Sequence, residues 1–345
     1  ETLPPVTVKG KAEPIPVFAL RGSKRHASRW QAASERPIVG RQAELERLGA
    51  KLDEALDGHG RIVGIAAEAG IGKSRLVAEF ARAARERGVL VAIGECQSYG
   101  TNTSYFVWRE IWSTLFGLYG SRSEDEQVQD VQVALAAIDP GLAAREPLLQ
   151  GLLDLPIPDN DLTARFDAKL RKTSLEGLLV DCLRAQARAA PLVLVLEDCH
   201  RIDPLSRDLL EVLARAIADL PVLVVLAYRP AAAPGGGLGI ERLPYFEEIS
   251  LGELDRHDAY LLIRARLEQM LGVDAEPPAA LVDLVTTRAQ GNAFYIEELL
   301  NFIGSQGVHP QDEAAIRKLE LPESLHSLIL SRIDAVGEAP RRTLK

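Results

Sequence analysis

Apolar residues recur along this chain in two ways: at three-to-four-residue spacing in some segments, and as short unbroken runs in others. Leu45, Leu48, Leu52 and Leu56 stand at helical spacing and predict a helix over 41–57. RIVGIAA at 61–67 reads as a short buried strand, and KSRLVAEFARAARERG at 73–88 as a helix closed by Gly88. VLVAIGE at 89–95 is strand-like, and helices follow over 106–118 and 124–138, broken by Gly120 and ended by Pro140. A long helix over 165–189 leads to the strand PLVLVLED at 191–198, a helix over 204–218 and the strand PVLVVLA at 221–227. Strands apolar on both faces that alternate with helices predict an α/β fold, a mainly parallel sheet covered by helices.

The punctuation changes after residue 230. AAAPGGGLG at 231–239 reads as a flexible loop, and FEEISL leads into a helical region with helices over 255–270, 277–289 and 292–303. GSQGVHPQDE at 304–313 reads as an exposed loop, and a final helix follows Pro322. At the other end, VTV and PVFAL lie around a Lys-Gly-Lys turn within residues 4–20 and are β-prone. RGSKRHASRWQAASER at 21–36 lacks apolar periodicity and reads as a linker, the alternative being a tail held against the next domain. The expected division is 1–20, a linker over 21–36, a core over 37–250 and a helical region over 251–345. The chain starts without methionine and stops just after a helix-like segment, so it is expected to be a piece of something longer.

Composition narrows the field of functions. The 345 residues carry 40 basic and 49 acidic side chains, a net charge of −9, which gives no general pull toward nucleic acid or an anionic membrane. No apolar run approaches the ~20 residues of a membrane span, and no basic-then-apolar leader opens the chain. Cys96, Cys182 and Cys199 are widely spaced and form neither a metal pattern nor a disulfide framework. A soluble cytoplasmic setting is the expectation.

The chemistry concentrates in AEAGIGKS at 67–74. Gly70, Gly72, Lys73 and Ser74 match the end of the phosphate-loop pattern G-x-x-x-x-G-K-S/T, placed between a predicted strand and a predicted helix. Backbone N–H groups of residues 69–74 would converge on phosphate at a helix N-terminus. Lys73 would bridge the β- and γ-phosphates, and the Ser74 hydroxyl would ligate Mg²⁺. The expected nucleotide-contacting stretch is Glu68, Ala69, Gly70, Ile71, Gly72, Lys73, Ser74 and Arg75, and the expected ligands are ATP or ADP with magnesium. Ala67 holds the first position, where glycine is usual; its methyl obstructs only if the backbone there needs positive φ or very close packing.

A second acidic element ends the strand LVLVLED, where Glu197 and Asp198 reach the C-terminal edge of the sheet. One acid would hold the water shell of Mg²⁺ and the other would orient attacking water; sequence leaves the two roles unassigned between them. His200 nearby is open to a structural or a phosphate-sensing role, and Asp203 before Pro204 reads as a helix N-cap. Arg229, at the end of VVLAYRP, can reach toward a γ-phosphate, the plainer alternative being a surface arginine before proline. Trp108 and Trp112 fall at i, i+4 and read as packing residues.

Together PIVGRQAELERL, EAGIGKSRLVAEF, LVLVLEDCHRIDPLSRDLLEVL, AYRP and GNAFYIEELL resemble the signalling ATPases of the AAA-16/STAND group, in particular the module that follows a class III adenylate/guanylate cyclase domain in bacterial regulators. VTVKGKAEPIPVFAL resembles the last strands of such a cyclase domain, and LPESLHSLILSRID also suits the arrangement. The resemblance implies that Val39, Gly40 and Arg41 lie on the adenine side, that Arg229 is a first sensor, and that the region after 250 is a helical lid. It places the segment Gly291-Asn292-Ala293-Phe294 on the adenine and lid side of the pocket, with Gly291 and Ala293 as the expected contacts and Ala293 where the group has proline. It implies a slow ATPase that acts as a conformational switch, joined to cyclase and downstream regulatory domains, with protein partners or an oligomer. The cyclase core lies outside these residues, so this piece should not make cyclic AMP. A hydrolysis-dead scaffold and a DNA-binding regulator whose reading domain lies elsewhere are the alternatives. A kinase or transport ATPase fits less well, since nothing marks an acceptor site or a membrane partner.

Overall fold

The computed structural model describes residues 2–6, 15–18, 38–97, 103–118, 123–230, 237–319, 321–322 and 324–335. The chain divides into two compact units, Glu1–Pro37 and Ile38–Lys345. In the first, β1 (Thr2–Val6) pairs antiparallel with β2 (Ile15–Phe18), Thr2 opposite Phe18 and Val6 opposite Ile15. The register slips between Leu3 and Val6, where Pro4 and Pro5 have no N–H to give to a ladder. β1 therefore lies earlier than the predicted VTV strand, and the predicted linker over 21–36 falls outside the described residues.

The second unit is built on a five-stranded parallel sheet of order β4-β5-β6-β3-β7. Its strands are β3 (Arg61–Ala66), β4 (Leu90–Glu95), β5 (Leu192–Glu197), β6 (Val222–Tyr228) and β7 (Phe246–Ser250). All six residues of β5 are buried, as expected for a strand covered on both faces. The helices α1 (Gln42–Leu56), α2 (Lys73–Glu86), α6 (Ala168–Ala189) and α7 (Pro204–Ala216) belong to this layered core. Asp203 caps α7 by accepting from Ser206 N–H at 2.9 Å, with Pro204 in the first turn.

Between β4 and β5 the chain makes a helical insertion. It contains α3 (Phe106–Leu115), α4 (Glu124–Ile138), a 3₁₀ stretch over Pro140–Leu149 and the single turn α5 (Gln150–Leu153). α4 matches the predicted 124–138, fixed by a Ser123–Glu126 capping box. α3 stops short of the predicted 118, because Gly117 turns to φ +69°. Trp108 and Trp112 are each 1 % exposed, so the packing reading holds; the Trp108 indole donates to Ser206 O at 3.0 Å.

The rest forms a small helical domain: α8 (Arg256–Leu271), α9 (Ala279–Ala289), α10 (Ala293–Ser305), α11 (Glu313–Lys318) and α12 (Leu325–Ala335). It has its own core, in which Ile263, Leu281, Leu299 and Ile303 are buried together, separate from the core around the sheet. Two elements differ from expectation. FEEIS is an edge strand rather than a lead-in to helices, paired with β3 through Ile62–Ala66 and burying only Ile249. The predicted loop over 304–313 gives way at its end to α11, capped by Asp312, which accepts from Ala315 N–H at 3.0 Å.

Candidate functional site

Strand order decides what stands beside the phosphate loop. β6 lies between β3 and β5, and the register pairs Ala66 with Tyr228 and Leu196 with Leu226. The loop after β3, Arg229 after β6 and the Glu197–Asp198 pair on β5 therefore leave the sheet from one edge. Neighbouring strands stand about 5 Å apart, so the loop and the acids flank Arg229 across about 10 Å. That span suits a phosphate group with a hydrated ion.

The loop itself is shaped by two glycines. Gly70 has φ +83° and Gly72 φ +110°, both in the region that glycine adopts without strain. Ala67 keeps negative φ, is 3 % exposed, and gives its N–H to Tyr228 O at 3.2 Å. It extends the sheet instead of turning the chain, so the positive φ that would make its methyl obstructive is not required.

Six consecutive carbonyls of this loop accept hydrogen bonds from the protein. Lys73 Nζ donates to Ala67 O at 2.6 Å and to Glu68 O at 2.8 Å. Asn292 Nδ2 donates to Ala69 O at 3.0 Å, Phe294 N–H to Gly70 O at 3.0 Å, and Arg41 Nη2 to Ile71 O at 3.2 Å. Leu76 N–H closes the first helical turn on Gly72 O at 3.0 Å. With the acceptors engaged, what the loop offers a ligand is its N–H groups, at the positive end of α2. That is the donor set an anion needs.

The charges around it are consistent with such a ligand. Lys73 is 8 % exposed, and burial, joined by the nearby Arg229 cation, pulls its ammonium below the ordinary 10.5. Asp198 opposes this more strongly than Glu68 or Glu197. Glu197 is 4 % exposed at the end of β5, whereas Asp198 turns to φ +53° and is partly exposed. His200 Nδ1 lies 3.9 Å from Asp198 Oδ1, and burial lowers its pKa below 6.5, helped by the Arg229, Arg201 and Lys73 cations. Lys73, Asp198, His200 and Arg229 thus share one electrostatic neighbourhood. Among the described residues no group of three or more His, Cys, Asp or Glu could hold a metal by itself. An ion here would take one or two protein oxygens and the rest from phosphate and water, the habit of Mg²⁺. The Ser74 hydroxyl and the Glu197–Asp198 carboxylates fit that demand.

The remaining expected residues gather at the junction with the helical domain. Arg41 is 7 % exposed and joins Ile71 O to Gly252 O, the latter at 2.6 Å. A side chain on Gly40 would meet Asp258 Cγ of α8 at 2.5 Å, so Val39–Gly40–Arg41 lies against the first turn of that helix. Gly291 O accepts from Leu254 N–H at 2.9 Å. Ala293 is the first residue of α10, behind the cap Asn292, whose side chain accepts from Tyr295 N–H at 3.0 Å. Alanine serves well at a position where proline is favoured, and the helix forms without it. Arg75 is half-buried on α2, 3.7 Å from Glu79. Sequence alone did not reveal Asn292 and Phe294 as partners of the loop carbonyls; the sole signal was their place in the GNAF motif. A separate cleft of about 1000 Å³ lies between the insertion and α6, lined by residues including Leu148, Leu152, Asp159 and Lys172 and by none of the loop.

The match to a known family agrees with this geometry. A family profile described as AAA ATPase domain matches residues 37–225. An uncharacterized protein of Rhizobium meliloti strain 1021 is 30 % identical over 96 % of this chain, and the chain spans 32 % of that protein's length. Among solved structures, Drosophila ORC bound to DNA gives a TM-score of 0.49 at 14 % identity, covering 96 % of this chain and 74 % of that one. The Aeropyrum pernix ORC1 protein in complex with DNA gives 0.46 at 17 % identity, covering 87 % of this chain and 66 % of that one.

Proposed function

The chain belongs to the AAA ATPase domain family, and from that premise we propose that it is a regulatory module that binds ATP, hydrolyses it slowly and uses the ATP and ADP states to set the position of its helical lid. The observation that carries this reading is the phosphate loop with its acceptors engaged from 67 to 72 and its amides left for an anion. Lys73 would exchange its two carbonyl partners for phosphate oxygens, whose negative charge would offset the burial of its ammonium. Arg229, just after the strand between the loop and the acids, would bind the γ-phosphate and so tell ATP from ADP. Glu197 or Asp198 would accept hydrogen bonds from the attacking water and hold it in line. Magnesium, when bound with the nucleotide, neutralises phosphate charge, and Ser74 with one of the two carboxylates would hold it.

The same proposal takes residues 1–20 as the end of a cyclase-like domain and sets the module in a longer cytoplasmic regulator of the AAA-16/STAND group. The motif set and the length of the Rhizobium relative support it. Among the described residues no helix is long and apolar enough to cross a membrane.

The test is ATP binding and phosphate release by the 345-residue chain with Mg²⁺, beside its K73A variant. Parent protein should bind ATP and release phosphate slowly, and K73A should bind roughly 10- to 100-fold more weakly, the worth of a charge-assisted hydrogen bond. Tight binding with no release would reduce the protein to a nucleotide-dependent scaffold. No binding at all would overturn the reading.

A further inference from the structure

The lid does not merely lie near the phosphate loop; it is hydrogen-bonded to the loop's backbone. Asn292 Nδ2 reaches Ala69 O and Phe294 N–H reaches Gly70 O, both at 3.0 Å, and both donors stand at the start of α10. The approach is close as well as polar: a side chain on Gly70 would meet Asn292 Oδ1 at 2.5 Å. Arg41 adds a third bond, to Ile71 O, while its same nitrogen holds Gly252 O at the entrance to the lid. Three successive carbonyls, 69 to 71, are thus held by groups that belong to the lid or grip its entrance.

Peptide planarity gives this a chemical consequence. In a trans peptide the C=O of one residue and the N–H of the next point in opposite directions, and the described chain contains no cis peptide. Holding the carbonyls of Ala69, Gly70 and Ile71 therefore sets the directions of the N–H groups of Gly70, Ile71 and Gly72. Two of these three residues are glycines at positive φ, with the greatest freedom to let a peptide plane swing. We infer that Asn292 is a positioning residue for phosphate: its carboxamide, with the Phe294 N–H it brings along, fixes the peptide planes that join 69 to 70 and 70 to 71, so that the N–H groups of Gly70 and Ile71 face the phosphate.

This rests on the nucleotide reading above and deepens it. Asn292 would act through the loop and not on the base, so its effect belongs to phosphate-bearing ligands alone. It has a second duty as the N-cap of α10, accepting from Tyr295 N–H at 3.0 Å. Serine performs that duty equally well but is too short to reach Ala69 O. Asn292→Ser therefore separates the cap from the loop bond without adding charge.

The experiment is calorimetric binding of ADP and of adenosine to the full chain and to its N292S variant, with Tm recorded for both. N292S should bind ADP about tenfold more weakly, as for one missing hydrogen bond and a loosened neighbour, while adenosine affinity stays within about twofold. Amide exchange at Phe294 in the free protein should quicken while Leu299, deeper in α10, is unchanged. Equal losses for ADP and adenosine would mean that Asn292 serves the base, and unchanged ADP affinity that it serves only the helix. Either result overturns the inference and leaves the nucleotide reading standing. Failure of the parent to bind ADP would overturn both.

Discussion

Ala67→Gly restores the residue that phosphate loops usually carry at this position, and the structure predicts that it harms the protein. Ala67 is only 3 % exposed, and it gives its N–H to Tyr228 O as the sheet's last bond on that side. Deleting a buried methyl costs about 0.8 kcal/mol. Glycine at a position of negative φ adds roughly 0.5–1 kcal/mol, because the unfolded chain gains freedom that the native backbone does not need. The sum is about 1–2 kcal/mol, or roughly 2–4 °C in Tm for a cooperative unit of this size. ATP affinity, measured by calorimetry alongside the melt, should stay within about twofold, since neither the amides nor Lys73 moves. A several-fold gain in ATP affinity, or a Tm that rises, would show that the methyl does press on the ligand or that the backbone is strained there. Ala67 would then be a defect in the loop and not an extension of the sheet.

Two further outcomes follow from the charges at the same edge. Arg229→Gln should weaken ATP by about tenfold and ADP by less than about twofold, because it removes a charge-assisted hydrogen bond made to the γ-phosphate alone; equal losses would remove Arg229 from that role. His200 has its pKa depressed below 6.5, so the unfolded chain takes up the proton first and stability is lost as pH falls through and below 6.5. His200→Gln should flatten that part of a Tm–pH curve and leave the region above about pH 7 unchanged, where the histidine is neutral in both states; an unaltered acid limb would sink the assignment.

Much of the core was readable because its signals are local. The buried strands β3, β5 and β6 lie within a residue or two of their apolar runs, and α4 announces itself through Ser123 and Glu126. The loop was legible because glycine, lysine and serine at that spacing answer a demand made by phosphate. What escaped depends on interactions between distant segments. β7 shows no clean alternation because only Ile249 is buried, and its strand character comes from pairing with β3. Strand order is invisible to periodicity, yet it is what sets Arg229 between the loop and the acids. Asn292 was visible as part of a motif, but nothing local says that its amide reaches back 223 residues to Ala69.

That long-range bond bears on how the module could switch. Phosphate would meet the N–H face of the loop, and the start of α10, in the proposed lid, meets the carbonyl face of the same peptides. Two net hydrogen bonds from α10 are worth about 1–3 kcal/mol together, a factor of roughly 5 to 150 in an equilibrium. If they form only with the lid in place and order the loop for phosphate, phosphate-bearing ligands bind that state more tightly by up to that factor, and linkage requires that such ligands favour the closed lid in return. Adenosine, which lacks the phosphate, has no differential interaction through this route and moves nothing by it. The distinction between ATP and ADP must then come from elsewhere on the edge, where Arg229 and the Glu197–Asp198 pair lie beyond the loop. The β-phosphate would set how tightly the lid is held, and the γ-phosphate would add the distinction between ATP and ADP.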